Sequence, residues 1–261
     1  METRLRILFD DTAQQAPPVT ARNLIRAGVF HSTPANYIPP MVTLEIISDP
    51  ICPWCYIGKA RLDRAIAETG RDPFEVSWRI FQLNPDMPPE GRDRKAHLIA
   101  KFGGEDGLKR VYDAVIEAGK SEGIDFAFDK VERTPNTINS HRLLRLADEK
   151  GTQDAASEAL FKAYFLDGKD IGVIDVLVEI AATAGMKGDE VRAYLESDAG
   201  DKEVREEDRK ARQMGVSGVP FFIINNKYAI SGAEDPSVFL RAFETIAKGE
   251  DEDAKEPAPA K

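Results

Sequence analysis

The sequence predicts an α/β fold whose strands lie in two groups, separated by a long helical block. Three observations lead there. A β-branched apolar run, Val42–Ser48, is followed by a helical pattern and then by the alternating run Phe74–Phe81. Helical periodicity then dominates from about Asp93 to Met214. Strand patterns return only at Pro220–Ile224 and Tyr228–Ile230, ahead of a last helix over about Asp235–Lys248. The order β-α-β, helices, β-β-α implies a single sheet with helices inserted between its halves.

The individual elements follow from local chemistry. Val42–Ser48 is almost wholly apolar, as a central strand buried on both faces would be. The helix that follows starts at Pro53, whose missing N–H suits a first helical position, and stops at Gly70. Asn84–Gly91, with three prolines, reads as a loop. In the helical block Leu108, Val111, Tyr112, Val115 and Ile116 share a face, as do Leu160, Phe161, Tyr164 and Phe165, and Val173, Val176, Leu177, Ile180 and Ala184. Those aromatics read as core. Asp201–Gln213 is so charged that it reads as a solvent-facing helix. Asn225-Asn226-Lys227 is a hairpin connection.

The expected organisation is an N-terminal extension at 1–40, a domain formed by 41–92 together with 215–248, a helical insertion at 93–214, and an acidic disordered tail at 249–261. The extension holds five prolines and little periodicity, and Met41 stands just before the first strand. A mis-annotated start accounts for it as well as a loosely ordered arm does.

Composition excludes several function classes. A net charge of −10 leaves no basic footprint for nucleic acid. No run approaches the ~18 apolar residues of a membrane span. Near the N-terminus only Ile7-Leu8-Phe9 follows the basic residues before Asp10-Asp11, short of a secretory core of about 7–15 residues. The expected location is therefore cytoplasmic, where a cysteine pair is more often catalytic than structural.

Both cysteines of the chain lie in Cys52-Pro53-Trp54-Cys55, where the first strand ends and the first helix begins. Unpaired N–H groups and the positive end of the helix dipole favour a thiolate at that place. Cys55 falls one turn later on the same face, within reach of Cys52. A C-x-x-C so placed points to thiol–disulfide chemistry, with Cys52 the exposed nucleophile and Cys55 the covered, resolving thiol. Other readings exist. Zinc wants four ligands, and no second cysteine pair or spaced histidines supply them. A structural disulfide in so short a loop removes little chain entropy, and two plain core cysteines remain a simple account.

Further stretches carry a resemblance. The motif together with Gly215-Val-Ser-Gly-Val-Pro-Phe-Phe222 resembles the thioredoxin superfamily, and the helical insertion narrows this to the DsbA-like family. Ser48–Tyr56, Trp78-Arg-Ile-Phe-Gln-Leu-Asn-Pro85, Asn136-Thr-Ile-Asn-Ser-His-Arg142 and Ser231-Gly-Ala233 resemble the FrnE-like branch, related to 2-hydroxychromene-2-carboxylate isomerases and kappa-class glutathione transferases. The resemblance, over about Val42–Ala247, implies a thioredoxin fold (βαβ…ββα) with a large all-helical insertion and a cis peptide at Val219–Pro220. It implies Cys52 and Cys55 as catalytic residues, with Pro53, Trp54, Val219, Pro220 and His141 at the substrate. For His141 and Arg142, a pocket role and a packing role stand level. The isomerase and transferase branch has serine at the position of Cys52, so the cysteine here favours disulfide exchange.

The expected protein is a disulfide oxidoreductase acting on protein or small-molecule thiols and disulfides. It needs no metal, flavin or nucleotide, and glutathione is a candidate redox partner. The alternatives are a glutathione-dependent isomerase or transferase on a small aromatic or polyketide-like substrate, and a non-catalytic peptide-binding or chaperone module.

Overall fold

The computed structural model describes residues 6–7, 41–70 and 74–248. Its elements are β1 (Arg6–Ile7), β2 (Val42–Ser48), α1 (Pro53–Thr69), β3 (Phe74–Ile80), β4 (Arg92–Asp93), α2 (Arg94–Phe102), α3 (Glu105–Ser121), β5 (Arg133–Thr134), α4 (Ile138–Glu149), α5 (Gln153–Phe165), α6 (Ile174–Thr183), α7 (Gly188–Glu196), α8 (Asp201–Gln213), β6 (Phe221–Ile224), β7 (Tyr228–Ser231) and α9 (Pro236–Lys248). β2 and α1 end where the sequence places them, whereas β1 falls in the stretch read as an extension. The two-residue ribbon β4–β5 is too short to leave a periodic signal.

The main sheet has the order β1-β7-β6-β2-β3. β2 runs parallel to β3, with Leu44 opposite Val76, and antiparallel to β6, with Leu44 opposite Ile224. The apolar strand is thus an interior one, flanked by β3 from just after it in the chain and by β6 from beyond the helical block. This is the thioredoxin fold with helices inserted. Of residues 1–40, Arg6–Ile7 pairs along β7; the rest of that stretch, like 249–261, lies outside the described residues.

Alternate residues of β2 serve opposite faces. Leu44 and Ile46 join Ile57 and Leu62 of α1, Phe222 of β6 and Phe239 of α9 in the main core. Ile47 joins Phe81, Ala211, Val216 and Ile223 on the other face. Each of the leucine, isoleucine, valine and phenylalanine side chains stabilises the fold by about 1.5–3 kcal/mol when fully buried. At the hairpin Asn225 and Asn226 take φ of 51° and 53°, left-handed values that asparagine tolerates better than most residues. Asn225 also ties the turn to β2, since its Oδ1 accepts from Thr43 N at 2.9 Å and its N–H donates to Thr43 O at 2.9 Å.

β3 is an edge strand, and helices of the insertion satisfy its outer backbone groups. Gln153 of α5 accepts from Trp78 N at 2.8 Å and donates to Trp78 O at 3.1 Å, in place of a neighbouring strand. Two residues on, Ile80 N donates to Glu207 at 3.3 Å, and Gln82 N to Asp208 at 2.7 Å. The period of two is that of amides facing one side of a strand. Here the expectation for α8 is corrected. Its charged run is not simply solvated, because Val204, Asp208 and Ala211 form a buried inner face. Arg212 of the same helix bonds Asp208 at 2.9 Å and lies 4.2 Å over the Phe81 ring. An edge that would otherwise invite pairing is closed by side chains.

Candidate active site

The turn after β2 aims the cysteine motif. Cys52 N donates to Asp49 O at 2.9 Å, and Cys52 is the N-cap of α1, with φ −93° and ψ 112°. Pro53 occupies the first helical turn, and Cys55 N donates back to Cys52 O at 3.0 Å. Both cysteines are free thiols. Cys55 has no exposed surface and Cys52 only 4 %, so the order of access is as expected, yet Cys52 is far less open than an exposed nucleophile. The reason is the loop before β6. Val219–Pro220 is a cis peptide, and the Val219 carbonyl accepts from the Cys52 thiol at 3.6 Å. Pro220 is buried, Val219 half-buried, and Pro53 and Trp54 are half-buried beside the cysteines. Trp54 lines an open groove of about 400 Å³ with Phe102, Arg110 and Val111 of α2 and α3.

Gly58 sets the distance between α1 and that loop. A Cβ there would lie 2.9 Å from Pro220 Cγ and 3.1 Å from Phe222 Cζ. Gly58→Val is therefore expected to cost about 1–3 kcal/mol through overpacking, although valine is the better helix former. Urea unfolding measures it; a variant as stable as the parent would show that the loop yields freely.

The two thiols have different surroundings. Burial pushes the Cys55 thiol well up, and the nearby Cys52 sulfur adds to this. The Ser48 hydroxyl and the Asp49 backbone act in the opposite sense. Beside them lies a buried acid that sequence reasoning missed. Asp49 is fully buried; its carboxylate accepts from Leu83 N at 2.7 Å and Ile51 N at 3.3 Å. Burial outweighs those bonds and raises its pKa to about 7.

His141, expected at a substrate pocket, is 1 % exposed and lies beneath the motif, with Nε2 3.8 Å from Asp49 Oδ1. Burial lowers its pKa to about 4, against smaller opposing effects of Asp208 and of the Phe81 backbone. At neutral pH the ring is uncharged, so the contact with Asp49 is no salt bridge. The Phe81 backbone is the polar group nearest to bonding the ring, but neither ring nitrogen makes a hydrogen bond of good geometry. Such groups cost about 1–3 kcal/mol each when buried unpaired. Arg142, its neighbour, is a packing residue. Its guanidinium donates to the carbonyls of Tyr194, Leu195, Ser197 and Ala199 at the end of α7 and to Asn139 Oδ1.

Comparison with known proteins agrees with this geometry. The family model for the DSBA-like thioredoxin domain matches residues 43–244. A probable DsbA oxidoreductase from Streptomyces coelicolor is similar at 36 % identity and TM-score 0.73, over 84 % of this chain and 93 % of that one. Two further structures share the fold at lower identity. One is a cytosolic disulfide reductase, DsbM, from Pseudomonas aeruginosa, solved with GSH (17 %, TM-score 0.54, 79 % and 96 % covered). The other is a 2-hydroxychromene-2-carboxylate isomerase (13 %, TM-score 0.59, 79 % and 97 % covered). Because the family match runs from the first central strand into the last helix, the chain belongs to the DSBA-like thioredoxin domain family, and its neighbours fit the FrnE-like branch.

Proposed function

We propose that the protein is a thiol–disulfide oxidoreductase in which Cys52 is the nucleophile and Cys55 the resolving thiol. The observation that carries this is the pair of neighbouring cysteines at the start of α1, one slightly accessible and one sealed. The Cys52 thiolate attacks a substrate disulfide, bonding to one sulfur and expelling the other as a thiolate. Cys55 then attacks the Cys52 sulfur, the remaining substrate sulfur leaves as a thiolate, and the protein keeps a Cys52–Cys55 disulfide. Two electrons pass from the cysteine pair to the substrate, and the reverse sequence oxidises a dithiol.

The Val219 carbonyl beside Cys52, and the groove at Trp54, suit an extended peptide or a small thiol such as glutathione. Glutathione as redox partner has support in the DsbM structure with GSH, a protein of the same fold.

The test is substrate trapping with glutathione disulfide. Cys55→Ser is expected to stop at a stable glutathione adduct on Cys52, seen as a mass increase, and Cys52→Ser to form none. A full exchange rate in Cys52→Ser would sink the assignment. Glutathione turnover on a model electrophile by the double cysteine variant would favour the isomerase or transferase reading instead.

A further inference from the structure

The groove beside the motif has two walls. α3 contributes Gly107, Arg110, Val111 and Ala114, and opposite them stand Trp54 of the cysteine motif and Phe102 of α2. The α3 positions recur at i, i+3, i+4 and i+7, so they form one stripe along the helix. Gly107 makes the arrangement possible. A Cβ there would collide with the Phe102 carbonyl oxygen, so glycine lets the end of α2 lie against α3 and brings Phe102 to the groove. Phe102 stays 37 % exposed, and Trp54, two residues from Cys52, is half-buried. Two aromatic side chains are thus left partly in water beside the nucleophile. The groove's volume of about 400 Å³ is enough for a large side chain and its neighbours.

Its charge is one-sided. Arg110 is the ionisable residue of the lining, and among the described residues it makes no hydrogen bond or ion pair. The acids near it on α3 are otherwise engaged. Asp113 pairs with Lys109 at 2.6 Å and Glu105 with Lys95 at 3.6 Å. Asp106 lies in the first turn of α3, where the helix dipole favours an acid. The other wall adds positive charge. Lys101, next to Phe102, bonds the neutral Asn84 side chain at 3.0 Å. Burial, and then Lys101, Arg92 and Arg94, hold His97 of α2 below its ordinary pKa. In a chain of net charge −10, an unpaired guanidinium beside the reactive cysteine is a place for a carboxylate.

We propose that Arg110 selects the substrate: its guanidinium pairs with a carboxylate of a substrate polypeptide, while a large apolar side chain of the same segment fills the space among Trp54, Phe102 and Val111. This rests on the thiol–disulfide reading above and narrows its substrate to protein segments whose cysteine is flanked by an apolar and an acidic residue. Glutathione has carboxylates but no large apolar group, so it would leave Phe102 and Trp54 as wet as before. A polypeptide segment supplies both groups at once. Arg110 determines specificity and takes no part in the exchange of bonds.

The experiment uses the full-length chain and capped peptides with one cysteine, carried as a mixed disulfide with pyridine-2-thiol. A phenylalanine and a variable residue (glutamate, glutamine or lysine) flank the cysteine, in both orders. Cys52 bonds to the peptide sulfur, the peptide–pyridyl S–S bond breaks, and the pyridine-2-thiolate leaves, takes up a proton and is read by its absorbance as the thione. Wild type is expected to react about three- to tenfold faster with the glutamate peptide than with the glutamine one, and slowest with the lysine one. Arg110→Gln should treat glutamate and glutamine alike, and Arg110→Glu should prefer lysine. A side chain that merely held α3 in place would shift all three peptides together. Replacing the peptide phenylalanine by serine should slow wild type by about threefold or more.

Equal wild-type rates for glutamate and glutamine, a glutamate preference that survives in Arg110→Gln, or a serine peptide as fast as the phenylalanine one overturns the proposal. So does a rate with glutathione disulfide that falls in Arg110→Gln while the peptide rates hold, because the groove then serves glutathione. A different result marks failure of the reading beneath it. No peptide adduct on Cys52 in the Cys55→Ser chain, sought by mass, would overturn disulfide exchange itself, and selection by Arg110 with it.

Discussion

Arg142→Met is expected to lower the unfolding free energy by about 3–5 kcal/mol. The side chain is 4 % exposed, and its guanidinium is the hydrogen-bond donor for four backbone carbonyls between Tyr194 and Ala199. These are the carbonyls at and just past the end of α7, where a helix has no partners of its own. Methionine fills much of the volume but donates nothing, so Leu195, Ser197 and Ala199 lose this donor together, and Tyr194 keeps the Ser197 hydroxyl at 2.8 Å. Lysine should rescue little, because a single ammonium cannot reproduce the planar fork. Urea unfolding should show a lower midpoint with an unchanged slope. A loss below about 1 kcal/mol, or full rescue by lysine, would mean that water satisfies the turn.

The second large effect is on pH dependence. Asp49 has a folded pKa of about 7, against about 3.9 in an unfolded chain. Its contribution to stability is fully present below pH ~4 and is lost as pH rises through 7. His141 has a folded pKa of about 4, against about 6.5 unfolded. Its contribution is fully present above pH ~6.5 and is lost as pH falls through 4. Between about pH 4 and 6.5 the two slopes oppose, and the pair leaves stability nearly level. Removing one partner uncovers the other. Relative to wild type, Asp49→Asn should gain about 3 kcal/mol between pH 4 and 6.5, and His141→Gln should lose a similar amount over the same window. Urea unfolding at several pH values gives the two curves. Variants that run parallel to wild type would show that the pair is hydrated and that burial does not govern it.

How legible all this was depends on the span of sequence over which each cause acts. The cysteine motif needs only a strand end, a proline and a helix start, all within a few residues, and its place at that junction was readable. The main-sheet strands from β2 onward declared themselves through apolar content and alternation. Val219 and Pro220 entered by resemblance alone, since nothing local marks a loop that will meet Cys52 across 167 positions. Asp49 stood three residues before Cys52, but its burial depends on α4, α5 and the loop at Leu83. In α8 a usable signal was present. Val204, Asp208 and Ala211 recur at i, i+4 and i+7, which puts the acid on the inner face of an otherwise polar helix. The charge of its neighbours hid that stripe. Gln153 gave no sign at all, because a glutamine that stands in for a strand looks like any other near a helix start.

The distance along the chain between Cys52 and Val219 also has a temporal side. Synthesis delivers about 5–20 residues per second. The 167 positions that separate the two therefore take roughly 10–30 s to emerge. For that interval the cysteine pair exists on the nascent chain without the loop that restricts access to it, and β2 lacks its partner β6. Any thiol or disulfide present at the ribosome meets an unguarded dithiol first. The cover over Cys52 is supplied by a part of the chain made only after the whole helical block.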